Sequence, residues 1–162
     1  MAHKEEIERK FLVQRDRLPP LPEGARLVQG YLSFWPTVRV RSEEGPGDHT
    51  CGYLTVKGPG LVGRDEFEYA IPFEDARAMQ QLAQAALVSK TRHRLPATPG
   101  NELTWEIDVF DGANEGLIVA EIEIPDLDCM FDRPDWLGQD VTEDPAYKNA
   151  SLAQQPYSAW NK

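Results

Sequence analysis

The sequence predicts an α+β, mainly β fold in which eight antiparallel strands close into a barrel and a few helices pack outside it. Eight segments of strand length alternate between apolar and polar residues, which is the period of a strand with two different faces. Proline and glycine fall between these segments, where they favour turns. Eight antiparallel strands are enough to close a small barrel whose interior holds one small ligand.

The strand candidates follow one another with short turn signals between them. They comprise residues 5–13, 25–34, 36–42, 51–57, 64–71, 89–95, 102–110 and 117–124. The stretch KGPGLVG at 57–63 predicts a hairpin between the fourth and fifth strands. The stretch DGANEG at 111–116 predicts a second hairpin, between the seventh and eighth strands.

The segment FEDARAMQQLAQAAL, between the fifth and sixth strands, has the composition of an amphipathic helix. Its apolar side chains recur at helical spacing, at Ala76, Met79, Leu82, Ala83 and Ala86. We expect this helix to pack on the outside of the sheet. From about residue 126 the alternation weakens, and short helices are expected to cover an end of the barrel through Trp136, Leu137, Tyr147, Leu152 and Trp160.

Length and composition predict a single domain over residues 1–162. A chain of 162 residues, of which 41% are hydrophobic, is long enough for one ordinary core. The net charge of −10 argues against binding to duplex nucleic acid, so a polyanionic ligand requires cations gathered locally. No apolar run has the length of a membrane span or the form of a leader, so we expect no membrane partner and a cytoplasmic location.

Cysteine and histidine form no recognisable metal or redox motif. Cys51 and Cys129 lack a CxxC partner, and the three histidines, His3, His49 and His93, lack the spacing of zinc ligands. We interpret all five residues as structural or incidental.

The stretch GPGLVG matches the GxGxxG pattern of dinucleotide-binding loops and kinases. A dinucleotide-binding loop leads into a helix, whereas here the charged, alternating stretch RDEFEYAI follows. A kinase needs a much longer chain with catalytic-loop motifs that this sequence lacks. The prediction for this stretch is therefore a hairpin turn.

Full charges occupy one face of seven of the eight predicted strands. The cations on these faces are Lys10, Arg39, Arg41, Lys57, Lys90, Arg92 and Arg94. The carboxylates are Glu6, Glu8, Glu66, Glu68, Glu106, Asp108, Glu121 and Glu123. An open sheet with one solvated face also alternates, but it mixes Ser, Thr, Asn and Gln with its charges. Like charges two residues apart destabilise an open face by about 0.2–1 kcal/mol per pair, so the pattern favours a closed barrel with its charged face inside.

An interior of this composition is suited to a metal polyphosphate complex. Arginine and lysine bind phosphate oxygens, which makes all seven cations candidates for phosphate binding. Carboxylates repel phosphate, but they hold hard cations such as Mg²⁺ or Mn²⁺ that bridge to it. The candidate metal ligands are Glu6, Glu8, Glu106, Asp108, Glu121 and Glu123.

The stretch EIERK, with Glu6, Glu8 and Lys10, matches the ExExK signature of the CYTH superfamily, the triphosphate tunnel metalloenzymes. The resemblance continues through VRVR, TVKG, DEFEY, KTRH, WEIDVF and AEIEI into DPAYKNASLA, so it covers most of the chain. It implies an eight-stranded antiparallel tunnel and divalent-metal-dependent chemistry on triphosphates. ExExK alone is a weak signal, but seven further matching segments in order make the resemblance highly specific.

The resemblance also implies roles for individual residues. Glu6, Glu8, Glu121 and Glu123 are expected to bind metal with help from Asp108, and Lys10 to contact the substrate or the attacking water. The residues expected to hold the phosphates are Arg39, Arg41, Lys57, Lys90 and Arg92. Tyr31 is the remaining candidate: it either points into the tunnel near Lys10 or is an ordinary packed tyrosine.

These features favour a hydrolase that acts on inorganic tripolyphosphate with Mg²⁺ or Mn²⁺. The general base is left open between Lys10 and the Glu66/Glu68 pair, because neighbouring cations and carboxylates move the pKa of Lys10 in opposite directions. Alternatives are a class IV adenylyl cyclase, a nucleoside or thiamine triphosphatase, and a non-catalytic module that binds polyphosphate. The oligomeric state is also left open, with a homodimer among the options.

Overall fold

The computed structural model describes residues 3–60, 62–97 and 102–160, with all their side chains except those of His3, Lys4 and Glu6. Eight long strands alternate in direction, and all eight predicted strands are confirmed to within a few residues at each end. They are β1 (His3–Val13), β2 (Ala25–Phe34), β3 (Thr37–Glu44), β4 (Thr50–Lys57), β5 (Gly63–Ile71), β6 (Val88–Pro96), β7 (Thr104–Phe110) and β8 (Ile118–Glu123).

Hydrogen bonding closes the sheet into a barrel. The strand order is β5-β4-β3-β2-β6-β7-β8-β1, and β1 then pairs with β5. Ile7 lies opposite Gly63 and Glu5 opposite Asp65 in this closing pair, which is antiparallel like the others. Closure leaves neither β1 nor β5 as a free edge at this point. The closed antiparallel barrel predicted from the sequence is therefore confirmed.

Both predicted hairpins are present. Residues 58–62 connect β4 to β5, with residue 61 outside the described ranges, and the Gly58 amide donates to the Asp65 carbonyl at 2.9 Å. The turn between β7 and β8 contains Gly112 and Gly116 with φ of 62° and 98°, which glycine adopts without steric cost. GPGLVG is thus part of a hairpin and not the start of a helix.

The predicted helix is shorter than its sequence pattern. Helix α1 (Phe73–Met79) continues as a 3-10 turn only to Leu82, and the amide of Gln84 donates to the Tyr31 carbonyl of β2. Ala76 is fully buried against Gly52, where an added Cβ would lie 2.8 Å from the Ala76 Cβ. The helix therefore packs on the outside of β3 and β4, as predicted.

The buried face of this segment differs from the predicted one at three positions. Leu82 is 69% exposed and Ala86 is exposed, whereas Gln80 is buried. The Gln80 amide nitrogen donates to the Val28 carbonyl and to Ser42 Oγ, each at 2.9 Å. A buried amide is tolerated there because its donors are satisfied.

The C-terminal part of the chain, expected to be helical from about residue 126, is only partly helical. Strand β9 (Leu137–Asp140) pairs with the end of β1, where Phe11 lies opposite Asp140. The adjoining residue Val141 donates its amide to the Lys10 carbonyl. β5 covers this edge of β1 only as far as Ile7, so the C-terminal segment satisfies backbone groups that the barrel leaves unpaired. Helix α2 (Asn149–Gln154) follows.

Two apolar clusters complete the fold. The first lies outside β1, β7 and β8, where Trp105 packs edge-on against Trp136 with ring centroids 5.4 Å apart. The second joins Leu152 of α2 to Val88 and Phe110, at the end of the barrel where β6 begins and β7 ends. Helix α2 thus covers that end, which agrees with the predicted role of Leu152.

Neither helix in the described part of the chain has the length and apolar character that crossing a bilayer demands.

Candidate active site

The barrel encloses a cavity of about 210 Å³. Its wall combines charged residues from the inward faces of the strands with residues of the C-terminal segment. The lining residues are Glu8, Lys10, Tyr31, Thr37, Arg39, Arg41, Lys57, Arg64, Glu66, Glu68, Arg92, Arg94, Glu106, Glu121, Glu123, Val141, Thr142, Asp144, Lys148, Asn149 and Ala150. Most of the site residues predicted from the sequence therefore face one cavity.

Three predicted site residues are exceptions. Lys90 and Asp108 do not line the cavity, although they occupy inward-facing positions of β6 and β7. The backbone of Glu6 pairs with Arg64 of β5, but its side chain lies outside the described residues.

Strand direction divides the cavity wall into two ends. β1, β2, β4 and β7 finish where α2 packs, which we call the α2 end. β3, β5, β6 and β8 finish at the opposite end, which we call the Glu43 end because Glu43 is the last residue of β3 that shares the strand face of Arg39 and Arg41. Glu43 contacts Arg41 but does not itself line the cavity. Arg94 and Glu123 also lie toward the Glu43 end, since they are near the last residues of β6 and β8.

Lys10 and Tyr31 lie side by side on the wall, and both are almost completely buried. Lys10 Nζ donates to the Tyr147 carbonyl at 2.9 Å and lies 3.6 Å from Glu121 Oε1. Burial lowers the pKa of Lys10, but the Glu121 and Glu8 carboxylates outweigh it and hold the pKa above its usual value. Lys10 is therefore an ammonium in this arrangement. Tyr31 faces the cavity, so it is not merely a packed tyrosine.

Burial keeps Tyr31 a neutral phenol. Burial raises its pKa, and a hydrogen bond from the Arg39 guanidinium offsets only part of that increase. The phenol can therefore donate a hydrogen bond into the cavity at neutral pH.

Asp108 sits at the centre of a buried ion triad with Arg92 and Lys90. Arg92 donates to its two oxygens at 2.8 and 2.9 Å, and Lys90 Nζ lies 2.6 Å from Oδ2. Burial works to raise the pKa of Asp108, but Arg92 and Lys90 hold it below its usual value. Burial also lowers the pKa of Lys90 to about 8. The geometry gives Asp108 a positioning role, because it fixes the guanidinium of Arg92 at the cavity wall.

The neighbouring carboxylates supply the donor chemistry of a hard cation. Glu8 lies opposite Glu123, and Glu121 lies opposite Lys10, on the paired strands β1 and β8. Glu121 Oε1 is buried and has no hydrogen-bond partner in the described part of the chain. Burial works to raise the pKa of Glu121, but Lys10, Lys90 and Arg92 hold it well below its usual value. Glu121 is thus an anionic oxygen donor of which one oxygen makes no hydrogen bond in the described part of the chain.

These carboxylates fit a divalent metal that also contacts substrate. Within the described ranges, no three acidic, histidine or cysteine side chains are gathered closely enough to hold a metal by themselves. Mg²⁺ in proteins is commonly held by one or two carboxylates, several waters and substrate phosphates. The donor set of Glu8, Glu121 and Glu123 matches that kind of site in ligand type and in location.

Several cavity residues were not predicted from the sequence. Arg64 follows the same period of two as Glu66 and Glu68, so extending the alternation by one step would have found it. Lys148 and Asn149 lie in the C-terminal segment, which has no periodic pattern to reveal them. Lys148 Nζ donates to the Gly60 carbonyl at 2.7 Å. Burial and the cations of Arg64 and Lys10 lower the pKa of Lys148 to about 8.

A closed antiparallel barrel whose interior gathers arginine, lysine and carboxylate side chains defines a class of proteins that bind a small polyanion inside the sheet. Residues 4–157 match the CYTH domain. The chain therefore belongs to the CYTH domain family, which confirms the resemblance predicted from the sequence. Membership in this family implies a divalent metal.

The chain is similar along most of its length to two proteins named inorganic triphosphatase. One, from Acetivibrio thermocellus, is 41% identical over 156 residues, which cover 94% of this chain and 95% of the relative. The other, from Nitrosomonas europaea, is 35% identical over 158 residues, which cover 91% of this chain and 96% of the relative.

Solved structures agree with the barrel. The crystal structure of the inorganic triphosphatase NE1496 aligns with a TM-score of 0.62 and 32% identity, covering 91% of this chain and 93% of that one. The PH1819 protein from Pyrococcus horikoshii aligns with a TM-score of 0.54 over 75% of this chain and 78% of that one. At 20% identity, the second likeness shows the fold alone.

Proposed function

We propose that this protein is a divalent-metal-dependent hydrolase that cleaves inorganic tripolyphosphate to pyrophosphate and phosphate. One observation carries the proposal: apart from Val141 and Ala150, every residue that lines the cavity is charged or can hydrogen-bond. Tyr31 is the one aromatic residue on the described wall. One face of its ring is stacked on Phe34 and the residue is 3% exposed, so little aromatic surface is offered to a base or a thiazole ring. The similar inorganic triphosphatases support the same substrate.

Substrate binding rests on the cations of the wall. Arg92 is held in place by Asp108, and Arg39 and Lys57 face the cavity from the adjacent strands β3 and β4. Arginine offers forked donors to phosphate oxygens, and lysine offers a point charge. Lys10, as an ammonium beside Glu121, completes the set of cations that contact the phosphates. These groups hold the phosphate chain in line and neutralise the charge that develops on the leaving pyrophosphate.

The carboxylates Glu8, Glu121 and Glu123 would hold the metal, with Glu6 and Glu106 as further candidates. Mg²⁺ or Mn²⁺ bound there would supply positive charge to the phosphate oxygens during cleavage. The role of these residues is to anchor that charge on β1 and β8, across the barrel from Arg39 of β3.

The attacking water is oriented by the remaining acceptors of the wall. Glu66 lies 3.4 Å from Lys57, and Glu68 lies 3.3 Å from Arg41, so each carboxylate borders a proposed phosphate contact. We assign the acceptor role to this pair, because Lys10 Nζ already donates to the Tyr147 carbonyl and faces a carboxylate. Tyr31 donates a hydrogen bond to the substrate from the adjoining wall.

Substrate ranking tests the proposal. With Mg²⁺, we expect the highest kcat/KM for tripolyphosphate, with ATP and thiamine triphosphate lower by about 10–200-fold, because steric fit alone discriminates only to that extent. The measurement is parallel kinetics with chromatographic resolution of the products. Cyclic AMP with stoichiometric pyrophosphate would indicate a cyclase instead. Tight binding of tripolyphosphate without any phosphate release would indicate a non-catalytic binding module.

Ligand binding should also stabilise the fold, because like charges on the wall repel one another until a ligand of opposite charge binds. At a tripolyphosphate concentration of a hundred times its Kd, mass action adds about 2.7 kcal/mol to the free energy of unfolding. For a chain of this length we expect Tm to rise by about 2–4 °C per kcal/mol. Thermal melts in EDTA avoid turnover, and sodium sulfate of equal ionic strength is the control. A Tm that does not move would argue against binding inside the barrel.

A further inference from the structure

Arg41 is held differently from the other cavity arginines. Its Nη2 lies 2.7 Å from Glu43 Oε2 and 3.3 Å from Glu68 Oε1, and its guanidinium lies over the Tyr53 ring, 4.9 Å from the centroid. The Arg41 and Glu43 side chains are only 12% and 13% exposed. Two carboxylates and one aromatic ring therefore fix this guanidinium at the Glu43 end of the cavity.

Carboxylates accompany the other cations at the same end. Arg94 Nε lies 3.2 Å from Glu106 Oε2, and Arg92 Nη1 lies 3.4 Å from Glu106 Oε1. Glu123, the last residue of β8, also lines the cavity there. A phosphate that reaches this end thus meets arginines whose charge is already balanced by fixed carboxylates.

The α2 end leaves little room for a longer ligand. Leu152 of α2 packs there against Phe110, and Lys148 Nζ donates across to the Gly60 carbonyl. A phosphate chain longer than the cavity therefore extends toward the Glu43 end. The charges it meets at that end decide whether the longer chain is accepted.

We propose that Glu43 limits the length of the polyphosphate chain that the cavity accepts. Its carboxylate pairs with Arg41 and repels a fourth phosphate beyond that arginine, and this repulsion is strong because the pair is largely shielded from water. Tripolyphosphate extends as far as Arg41 but not to Glu43, so it is accepted. The inference deepens the proposed function and rests on it, since it assigns a residue to the discrimination between tripolyphosphate and longer chains.

The test compares Glu43→Gln with Glu44→Gln. Glu44 is the adjacent residue, but its side chain is 53% exposed and pairs with Arg77 at 3.7 Å, so the control removes the same charge from the outer face of β3. The ratio of kcat/KM for tripolyphosphate to that for tetrapolyphosphate is measured with Mg²⁺. We expect Glu43→Gln to lower this ratio about tenfold, which corresponds to about 1.4 kcal/mol. Glu44→Gln should leave the ratio within about twofold of the wild type, as a surface charge change does.

Glu43→Asp tests the negative charge at position 43 separately from the hydrogen bond with Arg41. It keeps the negative charge on a side chain shorter by one methylene, so we expect a ratio close to that of the wild type. Thermal melts establish that each variant is folded at the assay temperature. If Glu43→Gln is unfolded there, the Asp variant carries the test: a tenfold lower ratio for Glu43→Asp would overturn the proposal.

Two further outcomes would overturn the inference. An unchanged ratio in Glu43→Gln would mean that Glu43 has no part in chain-length selection. An equal loss for both substrates would mean that it only supports Arg41. Calorimetric binding of tripolyphosphate and tetrapolyphosphate in EDTA gives the ratio of their dissociation constants without turnover. Failure of the hydrolytic proposal, seen as no phosphate release, is therefore distinguishable from failure of this one.

Discussion

Replacement of Glu8 or Glu123 by glutamine is expected to lower kcat/KM for tripolyphosphate by at least about 10²–10³-fold while the protein stays folded. Both residues line the cavity on adjacent strands, and each is proposed to anchor the metal opposite the phosphate-binding arginines. Glutamine keeps the size of the side chain but removes the charge that a divalent cation requires. The measurement is phosphate release over a range of Mg²⁺ concentrations, with and without excess EDTA.

Glu5→Gln is the matched control for this prediction. Glu5 also lies on β1, but its side chain is exposed. The control should therefore retain the rate of the wild type within about twofold, as a surface substitution does. Full activity of the wild type in excess EDTA, or equal losses in Glu5→Gln and Glu8→Gln, would contradict the metal-anchoring role.

Asp108→Asn is expected to lower the free energy of unfolding by about 3–5 kcal/mol, because it removes the negative charge that two buried cations share. Lys90 and Asp108 are both fully buried, and Arg92 forms two hydrogen bonds with the carboxylate. The measurement is urea denaturation at neutral pH. Glu44→Gln breaks an exposed ion pair and should cost at most about 1 kcal/mol.

The difference in the free energy of unfolding between the wild type and Asp108→Asn should depend on pH in one direction. The pKa of Asp108 in the folded protein is held below its usual value, so the carboxylate contributes stability above the unfolded pKa of about 3.9. The contribution is lost as the pH falls from there through the folded pKa. The difference in the free energy of unfolding between the wild type and Asp108→Asn should therefore narrow below about pH 4.

Loss of activity in Asp108→Asn without loss of stability would instead support the metal-helping role that the resemblance implies.

Much of the strand arrangement follows from local sequence pattern. The alternation in TVRVR or WEIDVF fixes which side chains share a face wherever the strand lies, because the period of two is a property of the extended backbone. Charge on one face of nearly every strand then favours closure, since an open sheet has no reason to exclude neutral polar residues. The resemblance to the CYTH family rests on the same residues, which is why the barrel and most of its cavity wall could be predicted.

The length of α1 and the course of the C-terminal segment could not be predicted in this way. Helical spacing continues to Ala86, but the backbone of Gln84 bonds to β2, and this tertiary contact outweighs local propensity. β9 forms because the edge of β1 beyond β5 is left unpaired, which is visible only once the barrel has closed. Lys148 reaches the cavity along this segment.

Lys90 and Asp108 show most clearly which features follow from the sequence pattern and which depend on tertiary packing. The alternation of the strands alone predicts that both point into the barrel, because they share the period of Arg92 and Glu106. That they form a buried ion pair behind the cavity wall depends on tertiary packing. Lys90 Nζ lies over the Phe110 ring, 5.2 Å from its centroid, and contacts Asn149 of α2. Side chains fill the interior of a small barrel near an end that is covered by another segment. Whether an inward-facing residue is packed there or lines the cavity therefore depends on its height along the barrel and on the covering segment, and the alternation of its own strand does not reveal either.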